Sequence, residues 1–114
     1  DELAPELLGA ARAALVEALV TGAARHKDAR AVRHALERLG ELYRRAGQYA
    51  DAAARFARAY AAGGGAEALW QNAQALFQAG DHGAAEEALN LWATQVPNGH
   101  ERLPEARAQL RTKA

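Results

Sequence analysis

Between Leu39 and Phe56 the chain reads LGELYRRAGQYADAAARF. Leu39, Gly40 and Tyr43 fall at helical steps, as do Ala52 and Phe56, so each half of the stretch has the period of one helix face. Between the halves, RAGQY places Gly47 where a helix exits through a left-handed residue, followed by a polar residue suited to a turn. The stretch therefore predicts two antiparallel helices joined tightly. Gly40 is its anomaly. A glycine inside a helix costs about 1 kcal/mol against alanine, yet the chain carries 32 alanines in 114 residues. Close crossing of two helix backbones at Gly40 would offset that cost, with Ala52 and Ala59 admitting the approach from the second helix.

The same spacing returns along the chain. Leu36, Leu39, Gly40 and Tyr43 are matched 34 residues later by Trp70, Ala73, Gln74 and Phe77, and 33 residues further by Leu103, Ala106, Arg107 and Leu110. Ala52, Phe56 and Ala59 are matched 33 residues later by Ala85, Leu89 and Trp92. Gly80 in QAGDH repeats the stop at Gly47, while the glycines at 63–65 and the VPNGH stretch read as separators between units. Pro104 suits the first turn of a helix and not its middle, so the last helix is expected from near Leu103 to about Thr112. In the N-terminal third, Leu3, Leu7, Leu8, Ala11, Leu15, Ala18 and Leu19 form one apolar stripe. That helix is either a degenerate repeat half or, as favoured here, a cap shielding the end of the array. Asp28 is the expected N-cap of the helix that follows.

These residues resemble the tetratricopeptide repeat (TPR) family. The first unit carries its W-x2-L-G-x2-Y element, with Leu36 in the tryptophan place, and then its A-x3-F-x2-A element. The second unit supplies Trp70 and a closing Pro97. It departs in Gln74 for the glycine, Leu89 for the aromatic and Trp92 for the final alanine, and is one residue short in the turn between its helices. The fold expected from this reading is all-α: stacked antiparallel helix hairpins in an α-solenoid of about six helices, including N- and C-terminal caps. Residues 1–27 would be the N-terminal helix and connector, 28–65 and 66–98 the two units, and 99–114 the C-terminal capping helix. Leu36, Leu39, Gly40, Tyr43, Ala52, Phe56 and Ala59 are the expected packing positions of the first unit. Trp70, Ala73, Phe77, Ala85, Leu89 and Trp92 are those of the second, and Gln74 there predicts a wider hairpin crossing.

Composition agrees with one helical domain, with scarce proline and few β-branched residues. Without cysteine there are no disulfides or thiolate metal sites. No apolar run reaches the length of a membrane span, since Glu17 interrupts the best one, AALVEALV. The chain opens DELAPE without a methionine and reads as a piece of a longer protein. Its net charge of zero conceals alternation: residues 1–24 carry −3, 25–58 carry +5, 59–101 carry −5 and 102–114 carry +3. Neighbouring segments of opposite sign then attract one another within the chain, or present a dipolar surface to a partner or a second copy.

Little suggests catalysis. The chain has no serine, and its only threonines are Thr21, Thr94 and Thr112. The glycine run lacks the Lys and Ser/Thr of a phosphate loop. Of the histidines, only His34 shares a helix face with carboxylates (Glu37 and Glu41), and no second such set exists to complete a metal centre. Arg25, Lys27, Arg30 and Arg33 form a basic stretch without interleaved aromatics, a weak nucleic-acid signal. No metal, cofactor, nucleic-acid partner or enzymatic activity is expected.

What the resemblance implies is a right-handed superhelix whose concave wall, formed by the first helix of each unit, holds an extended peptide or partner helix. On the family spacing the wall would present His34, Glu37, Arg38, Glu41, Arg44 and Arg45 from the first unit. Gln71, Asn72, Ala75 and Gln78 would continue it, then Glu105, Ala108 and Arg111. Asn72 resembles the asparagine that holds a peptide backbone in many such grooves. The lysine-rich clamp for terminal carboxylates is not evident, because Glu37 and Glu41 occupy that stretch. The expected function is a noncatalytic scaffold recruiting a protein or peptide. The alternative is a weakly self-associating module using its charged segments or repeat ends. The Ala/Arg-rich composition suggests a bacterial source, cytoplasmic or periplasmic, where such repeats serve envelope, secretion, polysaccharide-export or pilus assemblies.

Overall fold

The computed structural model describes Glu17 and residues 29–113, which contain helices and no strand. Helix α1 spans Ala29–Arg45, α2 Tyr49–Ala59, α3 Gly65–Gln78, α4 His82–Gln95 and α5 Gly99–Lys113, with a wide π-type turn at Tyr60–Gly64. Each helix packs against the next, and α3 also reaches α5. The expected N-terminal cap and the Asp28 N-cap lie outside the described residues.

The two glycine stops are built alike. Gly47 has φ +79 and Gly80 φ +84, the left-handed conformation in which glycine carries no Cβ penalty. At the first, the N–H of Gly47 donates to the Arg44 carbonyl (3.0 Å) and that of Gln48 to Tyr43 (2.9 Å); at the second, Gly80 donates to Phe77 (3.1 Å) and Asp81 to Leu76 (2.9 Å). These bonds satisfy carbonyls that would otherwise be orphaned at a helix end. Asp81 then caps α4, its Oδ1 accepting from the Ala84 N–H at 3.3 Å.

The glycines at 63–65 break the helical path between α2 and α3, as separators should, with Gly63 at φ +102 and Gly65 at φ +68. One boundary differs from the sequence expectation. Helix α5 begins at Gly99, four residues before the expected start, and Pro104 lies inside it. The missing Pro104 N–H leaves the His100 carbonyl without its helical donor, and the ring crowds that same carbonyl, both within the first two turns of the helix. Asn98, at φ +55, turns the chain sharply, and its carbonyl accepts from Arg102 at 3.1 Å. That fixes the first turn upstream of the proline.

Gly40 is buried at the α1–α2 crossing as the helical pattern requires, and its nearest neighbours across the crossing are atoms of the Phe56 ring. A methyl group there would stand 2.9 Å from the ring of Phe56. The glycine makes room for an aromatic ring. Leu36, Leu39, Ala52, Phe56, Ala59, Ala73, Phe77, Ala85, Leu89 and Trp92 are all buried. Tyr43 and Trp70 are only half-buried. Gln74, matching Gly40 in α3, is buried with its side chain in place.

Charge alternation along the sequence is partly consumed within the chain. Arg55 reaches Glu17 at 2.9 Å and Arg58 reaches it at 3.5 Å. The Arg55 guanidinium also lies 4.9 Å from the centre of the Tyr43 ring. Arg107 of α5 donates to Glu86 of α4 at 2.7 Å. That hydrogen bond holds the Glu86 carboxyl below its ordinary range, against a smaller opposing effect of burial. Because the folded pKa is depressed, the contribution is present above the unfolded carboxylate value and is lost as pH falls through the folded one. Wild type is expected to exceed Glu86→Gln in melting temperature at neutral pH. The difference should close only on acidification below the usual carboxylate range.

Candidate functional site

Helix α3 presents one face between α1 and α5, with Glu67 and Gln71 on it and Gln78 two turns along. These residues are four and seven positions apart, within one stripe of a helix advancing about 100° per residue. Across from them, Glu37 and Glu41 of α1 complete a cleft of about 190 Å³ with Glu67, Ala68 and Gln71, floored by Phe56. On the other side of α3 a larger cleft of about 330 Å³ opens toward α5, walled by Glu67, Trp70, Trp92, Arg102 and Glu105. Glu67 lines both, so the two clefts adjoin on either side of one α3 side chain, a divided trough across α1, α3 and α5.

The α1 side of the trough is electrically occupied. Arg44 chelates Glu41 at 2.5 and 2.6 Å, and Arg45 stands 3.6 Å from the same carboxylate. Glu37 lies 3.8 Å from both Arg33 and His34. On α3 the situation is different. Glu67 accepts only the neutral carboxamide of Gln71, at 2.9 Å. With its nitrogen so committed, the Gln71 Oε1 is left buried without a hydrogen-bond partner, and so is the Oε1 of Gln78 two turns along. Buried acceptors of this kind are seldom left unpaired.

At the α5 end the two indoles lie with ring centroids 5.1 Å apart and planes at 50°, a tilted contact favoured by their quadrupoles. Trp92 is buried to 7% exposure, and the half-buried Trp70 turns its open side to the cleft. The Arg102 guanidinium stands 5.3 Å from the centre of the Trp92 ring.

Of the residues expected on the wall, Glu37, Glu41, Gln71 and Glu105 line the trough. His34, Arg38 and Arg45 are exposed beside it without lining either cleft, as are Ala108 and Arg111 on α5. Arg44 acts on the trough through Glu41. Asn72 and Ala75 are corrections. Asn72 is 9% exposed and donates from Nδ2 to the Ala53 carbonyl at 2.7 Å, tying α3 to α2. Ala75 is fully buried among Ala52, Ala53 and Phe56. Both sit on the side of α3 turned to α2, where Asn72 lines a separate cleft of about 330 Å³ with Ala50, Ala53, Ala54 and Ala57. Asn72→Ala is accordingly expected to lower stability by about 1 kcal/mol in denaturant melts, the worth of one such hydrogen bond.

The residues missed from sequence are Glu67, Arg102 and the trough-facing edge of Trp70. Glu67 was legible as the i−4 neighbour of Gln71. Arg102 was hidden by the belief that α5 began after it. Among the described residues, no group of three or more His, Asp or Glu side chains converges to hold a metal ion, and no helix is long and apolar enough to cross a membrane. Comparison with protein-family models, curated proteins and solved structures returned no match.

Proposed function

We propose that the chain is a noncatalytic adaptor of TPR-like architecture that holds an extended segment of a partner protein in the trough across α1, α3 and α5. The observation that carries this reading is the pair of open clefts, about 190 and 330 Å³, that adjoin at Glu67 and are lined by Glu37, Glu41, Gln71 and Glu105. An extended peptide brings what such polar side chains bind, backbone N–H and C=O groups free of secondary structure. Repeated stop signals at Gly47 and Gly80, and packing of each helix on its successor, support the stacked-hairpin arrangement. No group in the trough is arranged as a nucleophile with a base beside it, which favours binding over chemistry. Self-association through charged segments is the weaker reading, since Glu17 and Glu86 already pair with arginines of the same chain.

A random-peptide selection followed by amide shift mapping tests the adaptor reading. Selected peptides should perturb the inner faces of α1, α3 and α5, and Gln71→Ala should weaken them up to tenfold, the value of one hydrogen bond. Glu87→Ala, on an exposed position of α4, should leave binding unchanged. Peptides that map instead to the outer faces of α2 and α4 would overturn the assignment.

A further inference from the structure

We infer that the α3–α5 end of the trough takes an arginine side chain of the bound segment, an inference that rests on the adaptor reading and specifies its ligand. The cleft there is about 330 Å³ and is walled by an indole pair and two carboxylates, Glu67 and Glu105. Neither carboxylate forms an ion pair among the described residues: Glu67 receives only a neutral amide, and Glu105 receives no cation. The carboxylates of α1 are a different case, because arginines of α1 already hold Glu41 and stand near Glu37. The tryptophan end therefore carries two carboxylates against the single guanidinium of Arg102, a net negative charge of one, whereas on α1 the carboxylates are matched by Arg33, Arg44 and Arg45.

The chemistry of that end selects among cations. A guanidinium can stack flat on an indole while its N–H fork meets a carboxylate at the edge, which a compact ammonium does less well. The chain demonstrates the stacking with its own side chain. Arg102 lies over Trp92 and makes no ion pair among the described residues. It occupies part of the aromatic surface as a resident competitor that an incoming arginine displaces. An acidic segment or a terminal carboxylate would meet Glu67 and Glu105 with the same sign of charge, and is disfavoured.

Trp70 and Trp92 are the only tryptophans in the chain, so indole fluorescence reports this cleft directly. The probes are three blocked pentapeptides, Gly-Ala-X-Ala-Gly, with X as arginine, lysine or citrulline. Citrulline keeps the shape of arginine without its charge. The arginine peptide should give a saturable fluorescence change, the lysine peptide should bind severalfold more weakly, and the citrulline peptide at least tenfold more weakly. Joint replacement of Glu67→Gln and Glu105→Gln should abolish the preference for arginine over citrulline. Removal of the competitor by Arg102→Ala should strengthen arginine binding severalfold, and Glu87→Gln should do neither. Equal binding of the arginine and citrulline peptides, or no saturable response to arginine, overturns the inference. The two readings fail separately: library peptides that map to the trough without arginine preference leave the adaptor standing and remove the arginine site. An arginine response confined to the tryptophans, with no longer segment mapping to the trough, does the reverse.

Discussion

Gly99→Ala is expected to destabilise the protein by about 3 kcal/mol, near the upper end for overpacking because the obstacle is backbone. The added methyl group would fall on the carbonyl of Ala93, in the last turn of α4. A side chain could rotate aside, but a carbonyl in a helix end cannot move without its helix. Gly99 must come this close because Val96, Pro97 and Asn98 reverse the chain in three residues, with the Gly99 N–H donating to Val96 at 3.2 Å. The strain should fall mainly on the docking of α5, which buries Ala106 and Leu110 against the α3–α4 pair. Hydrogen exchange should show α5 and the end of α4 losing protection first, while α1 and α2 keep theirs. A variant with wild-type stability would mean that the α4–α5 corner relaxes freely.

Phe56→Ala should cost about 3 kcal/mol, in the range for emptying a buried aromatic site. Its more telling consequence concerns Gly40. In the wild-type background Gly40→Ala should destabilise by about 1–2 kcal/mol, since the steric conflict with the Phe56 ring outweighs the gain in helix propensity. With Phe56 removed the conflict is gone and only propensity remains. Gly40→Ala should then stabilise by up to about 1 kcal/mol. Four denaturant curves measure both signs. Additive effects would show that the glycine and the ring do not meet in solution.

The division between what the sequence revealed and what it concealed follows from the kind of signal each feature carries. Helix periodicity and the stops at Gly47 and Gly80 are local, and they located α1 to α4 to within a few residues. Pro104 is local too but misled, because its tolerance depends on how many turns precede it, and Asn98 sets that number through a left-handed backbone. For the trough, the resemblance led to the expectation of a wall on the first helix of each unit; Glu37, Glu41, Gln71 and Glu105 of that set line the clefts beside α3. Asn72 and Ala75 of the same set turn toward α2 instead. The rotation of α3 about its axis is set by how Ala52, Ala53 and Phe56 of α2 receive it, and no periodicity within α3 contains that information. The identity of Phe56 as the partner of Gly40 was hidden for the same reason.

The seams between these helices are lined by alanine, with Ala52, Ala59, Ala73, Ala75 and Ala85 all at 0% exposure. Such a seam makes mutational tolerance one-sided. Loss of a methyl group forfeits little contact, whereas any larger residue must push two backbones apart along their length. Sequence drift at these sites is thereby funnelled toward glycine and serine and away from valine and leucine. A lineage of this fold would diversify on its walls while its joints stayed small.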